Sequence, residues 1–104
     1  MTVLEKVKLL EKFIAIEAND SVLELALDKL LSREVSRLDD LKKTLFKQQS
    51  DFEKKYGMRS TDFTRCYKNG TLGDEMDFME WAATIDMITN IEKSLALIDK
   101  GLIS

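Results

Sequence analysis

From Ser21 to Tyr56 the chain reads SVLELALDKLLSREVSRLDDLKKTLFKQQSDFEKKY, without one glycine or proline. No other feature restricts the fold as strongly, because those two residues interrupt helices most readily. The chain as a whole has no proline. Leu27, Leu31, Leu38, Leu41, Leu45, Phe52 and Tyr56 recur close to heptad spacing, which predicts one long helix with an apolar stripe. Glu34, Gln48 and Gln49 interrupt the stripe and predict looser or polar packing there. Asp28, Lys29, Arg33, Arg37, Asp39, Lys43 and Lys47 form the opposite, solvated face. Pairs four apart on that face, such as Asp39 with Lys43, are worth about 0.2–0.5 kcal/mol each.

Other segments carry the same texture. Val3, Val7, Leu10 and Ile14 alternate at four and three, predicting a first helix over roughly 3–17. Asn19, Asp20 and Ser21 break and restart the chain, with Asp20 or Ser21 as N-cap and Glu24 favouring the helix dipole. Gly57 is placed to end the long helix as a C′ residue. Ser60 is expected to cap a short helix over 61–68, with Asp62 in its first turn. NGTLGD is a turn cluster. Asp74 is expected to cap a last helix that ends near Lys100, before Gly101. Phe78, Trp81, Ile85, Ile88, Ile91, Leu95, Ile98 and Leu102 form its stripe, near-heptad from Ile88 onward.

The expected fold is therefore all-α: a long antiparallel helical hairpin, with an N-terminal helix and a short connecting helix laid on it. Its 104 residues suit one helical domain spanning 1–104. A continuous second helix spans roughly 54 Å at 1.5 Å per residue. A compact domain of this size has a radius of gyration near 13 Å, hence a diameter of about 33 Å. The helix overhangs such a globule, and the apolar stripe from Leu38 to Phe52 needs a cover. The last helix covers part, and a second copy of the chain is the expected cover for the rest, giving a homodimeric bundle. A break near Ser32 or Ser50 defeats this expectation.

Composition excludes several classes of function. Sixteen basic against nineteen acidic residues give a net charge of −3, no footprint for nucleic acid as a direct partner. A single cysteine, Cys66, has no internal disulfide partner and points to a reducing, cytoplasmic setting. Charges among the apolar residues of the N-terminus match neither a signal peptide nor a membrane span. The chain has no histidine, which removes His-based acid–base catalysis, Ser–His and Cys–His nucleophile pairs, and most zinc and iron sites.

The segment from Asp51 to Ala83 departs from the helical monotony. It holds three of the four glycines, six of the eight aromatics and the cysteine. Lys54, Lys55, Arg59, Arg65 and Lys68 with Tyr56 and Tyr67 read either as a phosphate patch or as solubilising charge, and the negative net charge favours the second. A helix-turn-helix reading fails because a recognition helix beginning Asp74, Glu75, Asp77 presents carboxylates to phosphates. Asp74, Glu75, Asp77 and Glu80 have two readings. They complement a helix dipole, or Asp74, Asp77 and Glu80 hold magnesium or manganese, as in an all-α metal-dependent nucleotide pyrophosphohydrolase. The latter needs facing carboxylates, and Glu34, Asp39 and Asp40 are the only candidates. Phe63, Tyr67, Phe78 and Trp81 at helical spacing read as packing of the short helix on the last one. The functional alternative makes Trp81 or Tyr67 a partner anchor. Cys66 between Arg65 and Tyr67 reads as an inert small residue.

YGM-x-S-x-x-F at Tyr56–Phe63, followed by G-x-L-G-D-x-x-D-F-x-E-W at Gly70–Trp81, resembles a family of small all-helical prokaryotic proteins, some labelled antitoxins and paired with a small toxin. The likeness extends upstream through LALDKLLSREVSRL, over roughly two-thirds of the chain. Met79 stands where the family has an aromatic, and Thr71 where it has Glu. Those departures bear on the partner and not on the fold. The resemblance implies a binding protein and not an enzyme.

The expectation is thus a protein–protein interaction module, of antitoxin-like inhibitor type, working as a homodimer and needing no cofactor. Arg59, Arg65, Asp77, Glu80 and Trp81 are its expected partner-binding residues. The runners-up are the metal-dependent hydrolase and a structural coiled-coil adaptor.

Overall fold

The structure, a computed structural model, describes residues 1–16 and 21–103, for the last two of these the backbone alone. It is all-α, with α1 Val3–Ile16, α2 Ser21–Tyr56, α3 Ser60–Lys68 and α4 Met76–Ile103. α2 continues unbroken through Ser32 and Ser50. Glu24 in its first turn and Lys54 and Lys55 in its last complement the helix dipole. Among the described residues no helix is long and apolar enough to cross a membrane. Glu17, the Asp20 cap and the Leu102 side chain lie outside the described residues.

Packing falls into two compact units, Met1–Arg33 and Glu34–Ser104. In the first, the described residues are exposed except for Leu10 and Ile14 on α1 and Leu23 and Leu27 on α2, which are half-buried. In the second, α2 and α4 pack along one another as the arms of a hairpin. Leu45, Ile88 and Ile91 are its buried centre, with Leu38, Leu41 and Leu95 packed against them. The middle of the near-heptad stripe of each arm, Leu38 to Leu45 and Ile88 to Leu95, is thus used on the other. Thr84, a polar residue absent from the predicted stripe, is buried in it. Its hydroxyl donates to the Glu80 carbonyl at 2.8 Å, which removes the cost of an unpaired buried hydroxyl. Gln49 is half-buried on the α2 stripe and Gln48 is exposed.

Glycines at positive φ make the reversals, Gly73 at +81° among them. Gly57 at φ +60° and Gly70 at φ +74° each follow a helix in the left-handed region, where a Cβ is strained. After α2 the Met58 N–H donates to the Glu53 carbonyl at 3.2 Å. After α3 the Thr71 N–H reaches the Cys66 carbonyl and the Gly70 N–H the Tyr67 carbonyl. These are the six-to-one and five-to-two bonds of a Schellman ending.

Three predicted helix boundaries need correction. Ser60 is the first residue of α3, not its cap. Arg59 holds the cap position at φ −75° and ψ 149° without a side-chain cap bond, and the Glu53 carboxylate accepts the Ser60 N–H at 2.8 Å instead. Asp74 does not cap α4. The helix starts at Met76, and the Glu75 carbonyl accepts the N–H groups of Phe78 and Met79, so Glu75 is the boundary residue. Gly101 lies inside α4 rather than ending it. Nothing there forces a stop, since a helical glycine costs only about 0.5–1 kcal/mol relative to Ala.

Candidate protein-interaction surface

The hairpin's closed end is built from aromatic rings. Phe63 and Trp81 have no exposed surface and stack with centroids 3.9 Å apart, 7° from parallel. Tyr67 and Phe78 close on Phe63 at 5.3 and 5.9 Å. α2 contributes Phe52 and Tyr56, stacked on Trp81 at 5.8 and 6.0 Å. The expected packing of α3 on α4 is present, and α2 completes it from below. The Trp81 Nε1–H donates to the Ser60 hydroxyl at 3.0 Å, so the indole's polar edge is satisfied inside the cluster.

Asp77 sits at the rim of this cluster, with its side chain 31% exposed. Its carboxylate accepts from the Lys55 Nζ at 2.6 Å and from the Tyr56 hydroxyl. The Lys55 hydrogen bond, then that of Tyr56, holds the Asp77 carboxyl below its ordinary range. The same bonds raise the Lys55 ammonium and the Tyr56 phenol above theirs. A charge-assisted link thus ties the last turn of α2 to the first turn of α4.

The predicted partner-binding residues therefore separate. Arg59 and Glu80 are exposed. Arg65 is exposed and paired with Asp62 at 3.1 Å, three residues earlier on α3. Asp77 is not a free outward charge, because α2 supplies it with two donors. Trp81 is not an available anchor, because it is wholly enclosed. Asp74, Asp77 and Glu80 do not converge either. Among the described residues no group of three or more His, Cys, Asp or Glu side chains is placed to hold a metal ion.

Sequence reasoning missed Lys55, Tyr56, Ser60 and Glu53. Tyr56 was legible as a stripe and motif residue beside basic charge, Lys55 as surface charge and Ser60 as a cap, while Glu53 carried no signal. Their pairings cross from one helix to another, and local spacing carries no record of them. What remains outward on early α4 is a set of exposed methionines, Met76 at 69%, Met79 at 52% and Met87 at 44%, beside the exposed carboxylates of Asp74, Glu75 and Glu80. Met87 also lines a groove of about 510 Å³ between α2 and α4, walled by Phe52 and Ala83 and rimmed by Lys55 and Glu80. Compared with protein-family models, curated proteins and solved structures, the chain matches none.

Proposed function

We propose that this chain is a protein–protein interaction module that works as a homodimer and acts as an antitoxin-like inhibitor of a small basic protein. The observation that carries this reading is the exposed, acidic and methionine-bearing start of α4. Its neighbours Asp77 and Trp81 are engaged inside the protein, whereas Asp74, Glu75, Met76, Met79 and Glu80 are all exposed. Methionine adapts its shape to irregular apolar surfaces, and a rim of carboxylates steers toward a positive cleft. The anchor of this surface is thus methionine, not the aromatic residue expected from sequence. The resemblance of the Tyr56–Phe63 and Gly70–Trp81 motifs to helical antitoxins supports the same reading.

The test is affinity capture from the source cells, with wild type beside Glu75→Lys combined with Glu80→Lys. Both positions are exposed, so helicity should be unchanged. A small basic protein recovered by wild type and lost with the double variant is the expected result. Recovery of no such protein, or undiminished capture by the double variant, removes the proposal.

A further inference from the structure

We infer that the protein partner of this chain lays a basic amphipathic helix into the groove of about 510 Å³ between α2 and α4. The inference rests on the binding reading above and deepens it, by naming the part of the partner that enters and the face of the hairpin that takes it.

The groove is shaped for a helix. Its lining runs from Gln48 to Lys55 on α2 and from Glu80 to Met87 on α4, which is two turns, or about 10 Å, of each arm. Two helices packed along one another leave a straight furrow between their ridges, and a third helix fits such a furrow with side chains spaced three and four apart. Phe52 is half-buried in it, and Met87 is 44% exposed. Ala83 carries a single methyl, which lets the backbone of another helix come close. The α4 wall also continues beyond the groove. Met76, Glu80, Ala83 and Met87 follow one another at four, three and four, so they share one face of α4. That face joins the groove to Met76, 69% exposed at the start of the helix.

Charge decides the chemistry of the occupant. Asp51 stands on the α2 side of the groove and Glu80 on the α4 side, and both are exposed. Among the described residues neither has an ion-pair partner. The cation of the lining, Lys55, is held by Asp77 at 2.6 Å. Apolar walls therefore lie between two carboxylates with no cation of their own. A helix with an apolar stripe flanked by Lys or Arg complements both features, and an acidic helix meets like charge on either side.

The probe is a synthetic peptide of about 15 residues, long enough to form helix, with leucine along one stripe and lysine elsewhere. A twin peptide carries glutamate in place of lysine. Calorimetric titration of the full chain should show binding of the lysine peptide and none of its twin. Ala83→Lys and Asp51→Lys, both at exposed positions, should each raise the dissociation constant at least about 10-fold, the size of a hot-spot loss. Thr89→Lys adds the same charge at an exposed α4 position outside the groove and should bind as wild type does. Circular dichroism and light scattering of the three variants should match wild type. Absence of binding by wild type, equal binding of the two peptides, or undiminished binding by Ala83→Lys overturns the inference and leaves the binding reading standing. A loss of mass on Ala83→Lys assigns the groove to a second copy of the chain and overturns it as well. Capture of no basic protein from the source cells, with the lysine peptide still held in the groove, overturns the binding reading instead.

Discussion

Phe63 and Trp81 lie face to face, 3.9 Å between ring centroids, with neither ring touching solvent. They come from different helices and are the largest fully buried side chains among the described residues. Loss of either ring removes packing that small neighbours cannot replace. Phe63→Ala should destabilise the protein by about 3–5 kcal/mol. Urea unfolding followed by circular dichroism measures it, and Trp81 emission should shift to the red in the native variant. A loss under about 1 kcal/mol would mean that the stack is not part of the core.

Asp77 should give a pH signature. Its folded carboxyl lies below the ordinary range because Lys55 and Tyr56 bond to it. The resulting stability is fully present above the unfolded pKa and is lost as pH falls through the depressed folded value. Lys55 and Tyr56 are raised, so their share is full below their ordinary values and is lost as pH rises through the folded ones. Asp77→Asn should therefore melt below wild type at neutral pH, with the gap closing in acid. Thermal melts from about pH 7 to about pH 2 read this window, and a gap independent of pH contradicts the link.

Ser60 and Glu53 make a second coupled pair of tests. Ser60→Ala leaves the Trp81 Nε1–H without its acceptor and should cost about 1–3 kcal/mol. Glu53→Ala uncovers the Ser60 N–H and should cost about 0.5–2 kcal/mol, the size of a lost N-cap. Asp74→Ala, by contrast, should stay within about 0.5 kcal/mol of wild type, because Asp74 caps nothing. Chemical denaturation of the three variants side by side checks the order; Asp74→Ala as the most harmful would refute it.

Glycines should respond in opposite directions. Gly57→Ala meets no neighbouring atom within 4 Å, yet its φ of +60° puts the new Cβ in strain, at about 1–2 kcal/mol. Gly101→Ala also meets nothing within 4 Å and sits in an ordinary helix, where Ala should gain up to about 0.5–1 kcal/mol. Melting temperatures should fall for the first and rise for the second.

Sequence by itself determined the helices. Absence of proline, the glycine-free run to Tyr56 and the leucine spacing leave no competing secondary structure, and backbone hydrogen bonding in a helix is local. The turns at Gly57 and Gly70 were legible for the same reason, since the left-handed residue announces itself. Tertiary structure decided what those surfaces do. The α2 and α4 stripes read as possible dimer seams until Leu45 and Ile88 were found packed in one chain. Asp77 read as outward, and Trp81 as either core packing or a partner anchor, until Lys55 and Tyr56 were seen to engage the first and Ser60 the second. Pairing between helices depends on rotation and separation in space, to which a periodic pattern is blind. A stripe states that it must be covered, and only the folded chain shows which stripes it has covered itself.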